Sequence, residues 1–162
     1  MITLESALKI TNQLIDDIIF MCETRTKPTY FTRAGKMSFK NMLLFMLSFV
    51  KKSIQLELDA FMEKTRGEEV RITKQAYSEA RKKISPSAFI KLADAIITGC
   101  YSDGDFKTYR GYRLLAIDGS VLEINNSEGL REAFGYVKTN NNQVARALAS
   151  CIYDIENDMI VT

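Results

Sequence analysis

The sequence predicts an α+β protein, all-helical over residues 1–106 and strand-bearing over 107–162. Three observations predict this. Apolar residues recur at helical spacing from Leu4 to about Cys100. The pattern stops in a stretch of Ser, Asp and Gly between Tyr101 and Thr108. Beyond it the apolar residues come in short runs that alternate, which is the period of a strand.

The first helix is expected over residues 4–22, with Leu4, Leu8, Ile15, Ile18 and Cys22 on one stripe, reinforced by Leu14 and Ile19. Glu5, Lys9, Asp16 and Asp17 fall on the other face. Residues 24–40 carry Arg25, Lys27, Arg33, Lys36 and Lys40 and no acid, punctuated by Pro28 and Gly35, so they read as a basic loop or arm. Ser38 caps a helical segment from Phe39 to about Lys64, which the step Lys51-Lys52-Ser53 could split. A charged turn around Gly67 follows. Thr73 is a good N-cap for a helix from Lys74 to Ile84. Ser85-Pro86 starts the next, with Phe89, Leu92, Ala93, Ile96 and Ile97 facing inward.

In the second region, Arg113 to Ile117 reads as a strand ending at Asp118-Gly119-Ser120, followed by an alternating run, Val121 to Ile124. Asn125 to Asn142 is a long connection with one short helix near Leu130 to Phe134. Val144 to Tyr153 and Met159 to Val161 are strands around a turn at Asp154 to Asp158, both of whose aspartates read as turn formers.

The 162 residues, 46% hydrophobic and 26% charged, suit one or two small domains with real cores. A formal charge of +2 leaves the partner class open. The chain has no histidine, which excludes a Ser-His-Asp triad, a Cys-His pair and histidine metal ligands. Chemistry would have to rest on carboxylates, with a metal. Cys22, Cys100 and Cys151 are far apart and odd in number, so free buried thiols in a reducing, cytosolic compartment are expected. The most apolar run, Met42 to Val50, falls well short of the ~20 residues of a membrane span, and no signal peptide is visible.

Two places could carry function. Asp118 follows four apolar residues, and a carboxylate at the rim of a sheet core suits a divalent cation. Asp-Gly is also a hairpin signal, and an Asx-turn explains the same residues. The helix from Lys74 to Ile84 places Ala76, Tyr77, Ala80 and Ile84 inward and Lys74, Gln75, Ser78, Arg81 and Lys82 outward. Short polar residues and Arg suit groove contacts, and Lys suits phosphates. It follows a helix across a short turn, as in helix-turn-helix proteins. A solvated basic face explains it equally well. Arg33 and Lys36 of the arm would extend a positive surface.

Three stretches, MSFKNMLLFMLSFVKKSIQLELDAF (37–61), ITKQAYSEARKKISPSAF (72–89) and RLLAIDGSVLEI (113–124), together resemble the IS4-type transposases of the DDE class. The likeness runs over nearly the whole chain. It implies that residues 1–106 bind DNA and that 107–162 open an RNase H-like catalytic domain. VARALASCIYDIENDMIVT is similar to that domain's second and third strands. The resemblance makes Asp118 the first of three acidic metal ligands and Mg²⁺ the cofactor of the complete enzyme. Double-stranded DNA at transposon ends becomes the partner, with a homodimer on DNA open to it, and the location cytoplasmic and DNA-associated. The reaction implied is metal-dependent phosphoryl transfer in DNA transposition. The family's second Asp and its Glu have no counterpart here, so a truncated catalytic domain, inactive alone, is expected. The alternatives are a non-enzymatic helical DNA-binding module and a helical interaction protein with no nucleic-acid role.

Overall fold

A computed structural model describes residues 4–48, 52–67, 70–102, 104–138 and 142–161. The architecture is α+β, with two compact units that divide at residues 103 and 104.

The helical unit begins with α1 (Leu4–Asp16) and α2 (Ile18–Thr24). The single helix expected over 4–22 breaks at Asp17, whose carboxylate accepts hydrogen bonds from the amides of Ile19 (3.0 Å) and Phe20 (3.3 Å). A residue expected merely to be solvated is thus the N-cap that starts a second helix. The expected stripe is largely outside: Ile15 is buried, but Leu4, Leu8, Ile18, Ile19 and Cys22 are exposed. Cys100 and Cys151 are half-buried, so burial of all three thiols does not hold.

Next come α3 (Phe39–Leu47) and α4 (Ile54–Arg66). Ser38 caps α3 through the Asn41 amide, and Ser53 caps α4 through that of Leu56. The split in the 39–64 segment therefore occurs, although Lys51 itself lies outside the described residues. Gly67, at φ 90°, closes α4 in a conformation that costs glycine little. The unit ends with α5 (Lys74–Arg81), capped by Thr73, and α6 (Ser87–Ser102). Residues 67–73 separate α4 from α5, longer than the three or four residues typical of a helix-turn-helix, so the short turn expected there is corrected. Ala76 and Ala93, expected inside, are exposed.

Phe45 sits at the centre of the core, edge-on to Phe61 (5.3 Å) and Tyr77 (5.0 Å), among buried Met42, Leu43, Leu58 and Met62. Each such ring buries enough apolar area to contribute roughly 1.5–3 kcal/mol, and edge-on pairing adds to it.

The second unit contains β1 (Leu115–Glu123), α7 (Glu128–Phe134), β2 (Tyr136–Lys138), β3 (Gln143–Asp154) and β4 (Met159–Ile160). All pairing is antiparallel. The long β3 takes β1 along one edge, and β2 and β4 near its two ends on the other. β1 runs straight through Asp118-Gly119-Ser120, so neither a strand end nor a hairpin turn lies there. The strand is held open by its full ladder with β3. Strand β2 falls where the sequence predicts only connection; its three residues follow α7 directly, and the Asn-rich sequence around them masks the signal.

Candidate nucleic-acid interface and acidic strand

The basic arm is fastened at both ends of α5. At the C-terminal end of α5 the Thr26 amide donates to the Lys83 carbonyl (2.9 Å), and the Ser85 amide donates to that of Thr24 (2.7 Å). Arg25 and Ile84 form an antiparallel bridge. At the other end the Lys36 ammonium reaches the Arg71 carbonyl at 3.5 Å, two residues before the Thr73 cap. Phe31 anchors the middle, its ring edge-on to Phe39 at 5.4 Å. The arm is therefore a pinned segment of the helical unit.

This brings Arg25 and Lys36 of the arm toward the two ends of α5. On α5 Lys74, Gln75 and Arg81 are exposed, as is Lys82 at its C-cap, and Ser78 is half-buried, while Tyr77 packs into the core. Lys82 pairs with Glu79 at 2.6 Å, and that ammonium holds the Glu79 carboxyl below its ordinary range. Both groups are well exposed, so the pair contributes little and leaves Lys82 able to exchange partners. Arg33 lines a groove of about 410 Å³ with Lys40 and Arg66. Asp16 lies in the same groove and takes the Lys40 ammonium at 2.7 Å, so part of that positive charge is already answered.

Asp118 lies mid-strand on β1, directly opposite Cys151 of β3, and is exposed. The expected buried setting is absent: all of β1 except Ala116 is exposed. One Asp118 oxygen accepts the Gly119 amide at 2.8 Å. The ladder is continuous through Gly119, so alternation puts Glu123 on the opposite face. There Glu123 faces Arg146 at 3.2 Å. The Asp118 face carries Ser120, Cys151 and Tyr153. Among the described residues no three His, Cys, Asp or Glu side chains are grouped to hold a metal ion. Asp118 with a thiol and hydroxyls is a poor ligand set for Mg²⁺, which favours several hard oxygens in octahedral geometry.

Asp154, read as a turn former, does accept the Asn157 amide at the turn, but it is also fully buried, which the sequence did not show. One of its oxygens takes the Arg113 Nε–H at 3.2 Å. The other accepts the Asn157 amide (3.2 Å) and its side-chain Nδ2–H (2.9 Å). Asn157 also exchanges two hydrogen bonds with the Lys107 main chain, at 2.8 and 3.0 Å. The network ties residues 107 and 113 to the end of β3. No local signal reveals it, because Arg113 is far from Asp154 along the chain. Asp158, at φ 53°, does turn the chain, and its carboxylate accepts the Tyr153 hydroxyl, raising that phenol above its ordinary range.

No helix among the described residues is long and apolar enough to cross a membrane. Comparison with family models, curated proteins and solved structures returned no match.

Proposed function

We propose that the helical unit binds double-stranded DNA through α5 and the basic arm, as the front part of a DDE transposase of IS4 type. The observation that carries this reading is the fastening of the arm to both ends of α5, at Thr26 and at Lys36. It sets Lys36 ahead of the start of α5 and Arg25 beside its end, next to the exposed Lys74, Arg81 and Lys82. Cations gathered this way neutralise phosphates and release counterions, while exposed Gln75 and Arg81 suit base edges.

The strand unit is proposed as the opening of an RNase H-like domain. An acid-bearing first strand, followed by long antiparallel β3 and then β4, supports that reading. Asp118 is then one carboxylate of a metal site that needs further acids. Mg²⁺ held by such a set would stabilise charge in phosphoryl transfer. The residues around Asp118 do not make that set alone, so the chain by itself is proposed to be inactive.

The test is duplex binding across a salt series. Wild type should bind with affinity falling steeply as salt rises. Replacing Lys74, Arg81 and Lys82 with Ala should flatten the log-log slope by about 0.9 for each phosphate that is no longer neutralised. Equal binding by wild type and variant would leave the α5 surface a merely solvated face. A bare helical interaction protein would show no salt-dependent binding at all.

A further inference from the structure

We infer that Lys27, Tyr30 and Lys83 form a preformed phosphate clamp, a second DNA contact distinct from the outer face of α5. The inference rests on the DNA-binding reading and names the part of the surface that grips the backbone. The Lys27 ammonium lies 5.8 Å from the centre of the Tyr30 ring, and that of Lys83 lies 5.4 Å from the same centre. Lys27 comes from the arm and Lys83 from the residues just after α5, so only the folded unit brings them together.

The backbone beneath them is fixed. The Thr26 amide and hydroxyl both reach the Lys83 carbonyl, at 2.9 and 3.3 Å. The Tyr30 amide closes a turn onto the Lys27 carbonyl at 3.0 Å, and an Arg25 guanidinium N–H donates to the Tyr30 carbonyl at 3.1 Å. Phe31 sits at φ 59°, a conformation unusual for a bulky residue, held by its ring against Phe39. Among the described residues the buried Arg25 Nε–H finds no acceptor. Glu79 makes its ion pair with Lys82, although its charge also reaches Lys83, and Glu23 pairs with Lys91.

Two like charges held near one ring repel each other, and the electron-rich face offsets that repulsion only in part. An anion between or beside them relieves the remainder. A free lysine loses much rotamer freedom when it grips a ligand. Here the ring has already restricted both stems, so less is lost on binding. Lysine meets phosphate as a point charge without base discrimination, so the clamp should take a phosphodiester of any sequence.

The full chain is titrated with a labelled duplex from about 0.05 to 0.3 M salt, a range over which phosphate contacts weaken steeply. The Lys27→Ala/Lys83→Ala variant should bind roughly tenfold more weakly at about 0.1 M salt, with the slope reduced by about 0.9 per lysine, on duplexes of unrelated sequence alike. A Lys107→Ala/Lys138→Ala variant, with the same loss of charge in the strand unit, should stay within about twofold of wild type. Tyr30→Phe should bind like wild type. Tyr30→Leu should weaken binding several-fold with the slope kept, because the charges remain but their positioning is lost. Circular dichroism melting confirms that each variant is folded. If wild type binds and Lys27→Ala/Lys83→Ala matches the charge control, the clamp is wrong and the DNA reading stands. If wild type shows no salt-dependent duplex binding, both fall.

Discussion

Asp118 and Asp154 sit on paired strands of one small sheet, yet their surroundings are opposite. Asp118 is exposed and accepts the amide of the next residue, Gly119. Asp154 has no exposed surface and takes hydrogen bonds from Arg113 and Asn157. Asp154→Ala removes a buried hydrogen-bond acceptor, while the partly exposed Arg113 is left in reach of water. It should therefore lower the stability of the strand unit by about 1–3 kcal/mol in denaturant unfolding. Asp118→Ala should change it by no more than about 0.5 kcal/mol, as exposed substitutions do. Equal effects would mean that the Asp154 network carries no stability. The metal-ligand role proposed for Asp118 needs a carboxylate that the fold does not already hold, and its exposure is consistent with that.

Among the elements, the tight turn before β1 is the place where local sequence and backbone disagree. Tyr109 and Tyr112 exchange main-chain hydrogen bonds at 2.8 and 3.0 Å around Arg110-Gly111. The φ values of Arg110 and Gly111 are 51° and 84°, both left-handed, as a type I′ turn requires. Gly111 meets this freely, whereas Arg110 does so at a cost, with its guanidinium 5.3 Å from the Tyr109 ring centre. Asn tolerates that conformation better, so Arg110→Asn should stabilise the strand unit by roughly 0.5–1 kcal/mol in thermal unfolding. A loss of stability would show that the arginine–tyrosine contact outweighs the backbone strain. In α5 the two agree. Its Thr73 cap, its buried Tyr77 and its basic outer residues all point to the same helix, so its placement needs little help from elsewhere.

At the scale of the whole molecule, the strand unit is unusual in what it leaves uncovered. Leu115, Ile117 and Val121 share one face of β1 and Leu148 lies opposite Val121, all substantially exposed. On the other face Leu122 is half exposed too. Apolar area of this extent marks surface made to be covered. Among the described residues no acids group with Asp118 to supply the set that the proposed two-metal site needs. We therefore expect the purified chain to leave supercoiled plasmid intact in Mg²⁺ or Mn²⁺. Nicking by wild type that Asp118→Ala abolishes would mean that another carboxylate of this chain completes the site.

The order of amino acids is enough to set most of the succession of elements, though not the break at Asp17 or strand β2, and the caps at Ser38 and Thr73. Those features depend on residues within one turn of each other, and local hydrogen bonding decides them. It is also enough to set the exposed character of Lys74, Gln75, Arg81 and Lys82, since helical periodicity sorts one face from the other. Which apolar stripes are covered is settled only by packing, because periodicity says that a face is apolar and not what lies on it; hence the exposed Leu4, Leu8, Ile18 and Ile19. Packing also puts Asp118 mid-strand instead of in a turn, because the β3 ladder holds the Asp-Gly step extended. Only the folded chain buries Asp154 with Arg113 and brings Lys27 and Lys83 to one ring. Each of these pairings joins residues far apart in sequence, and long-range electrostatics of that kind leave no period for a sequence to display.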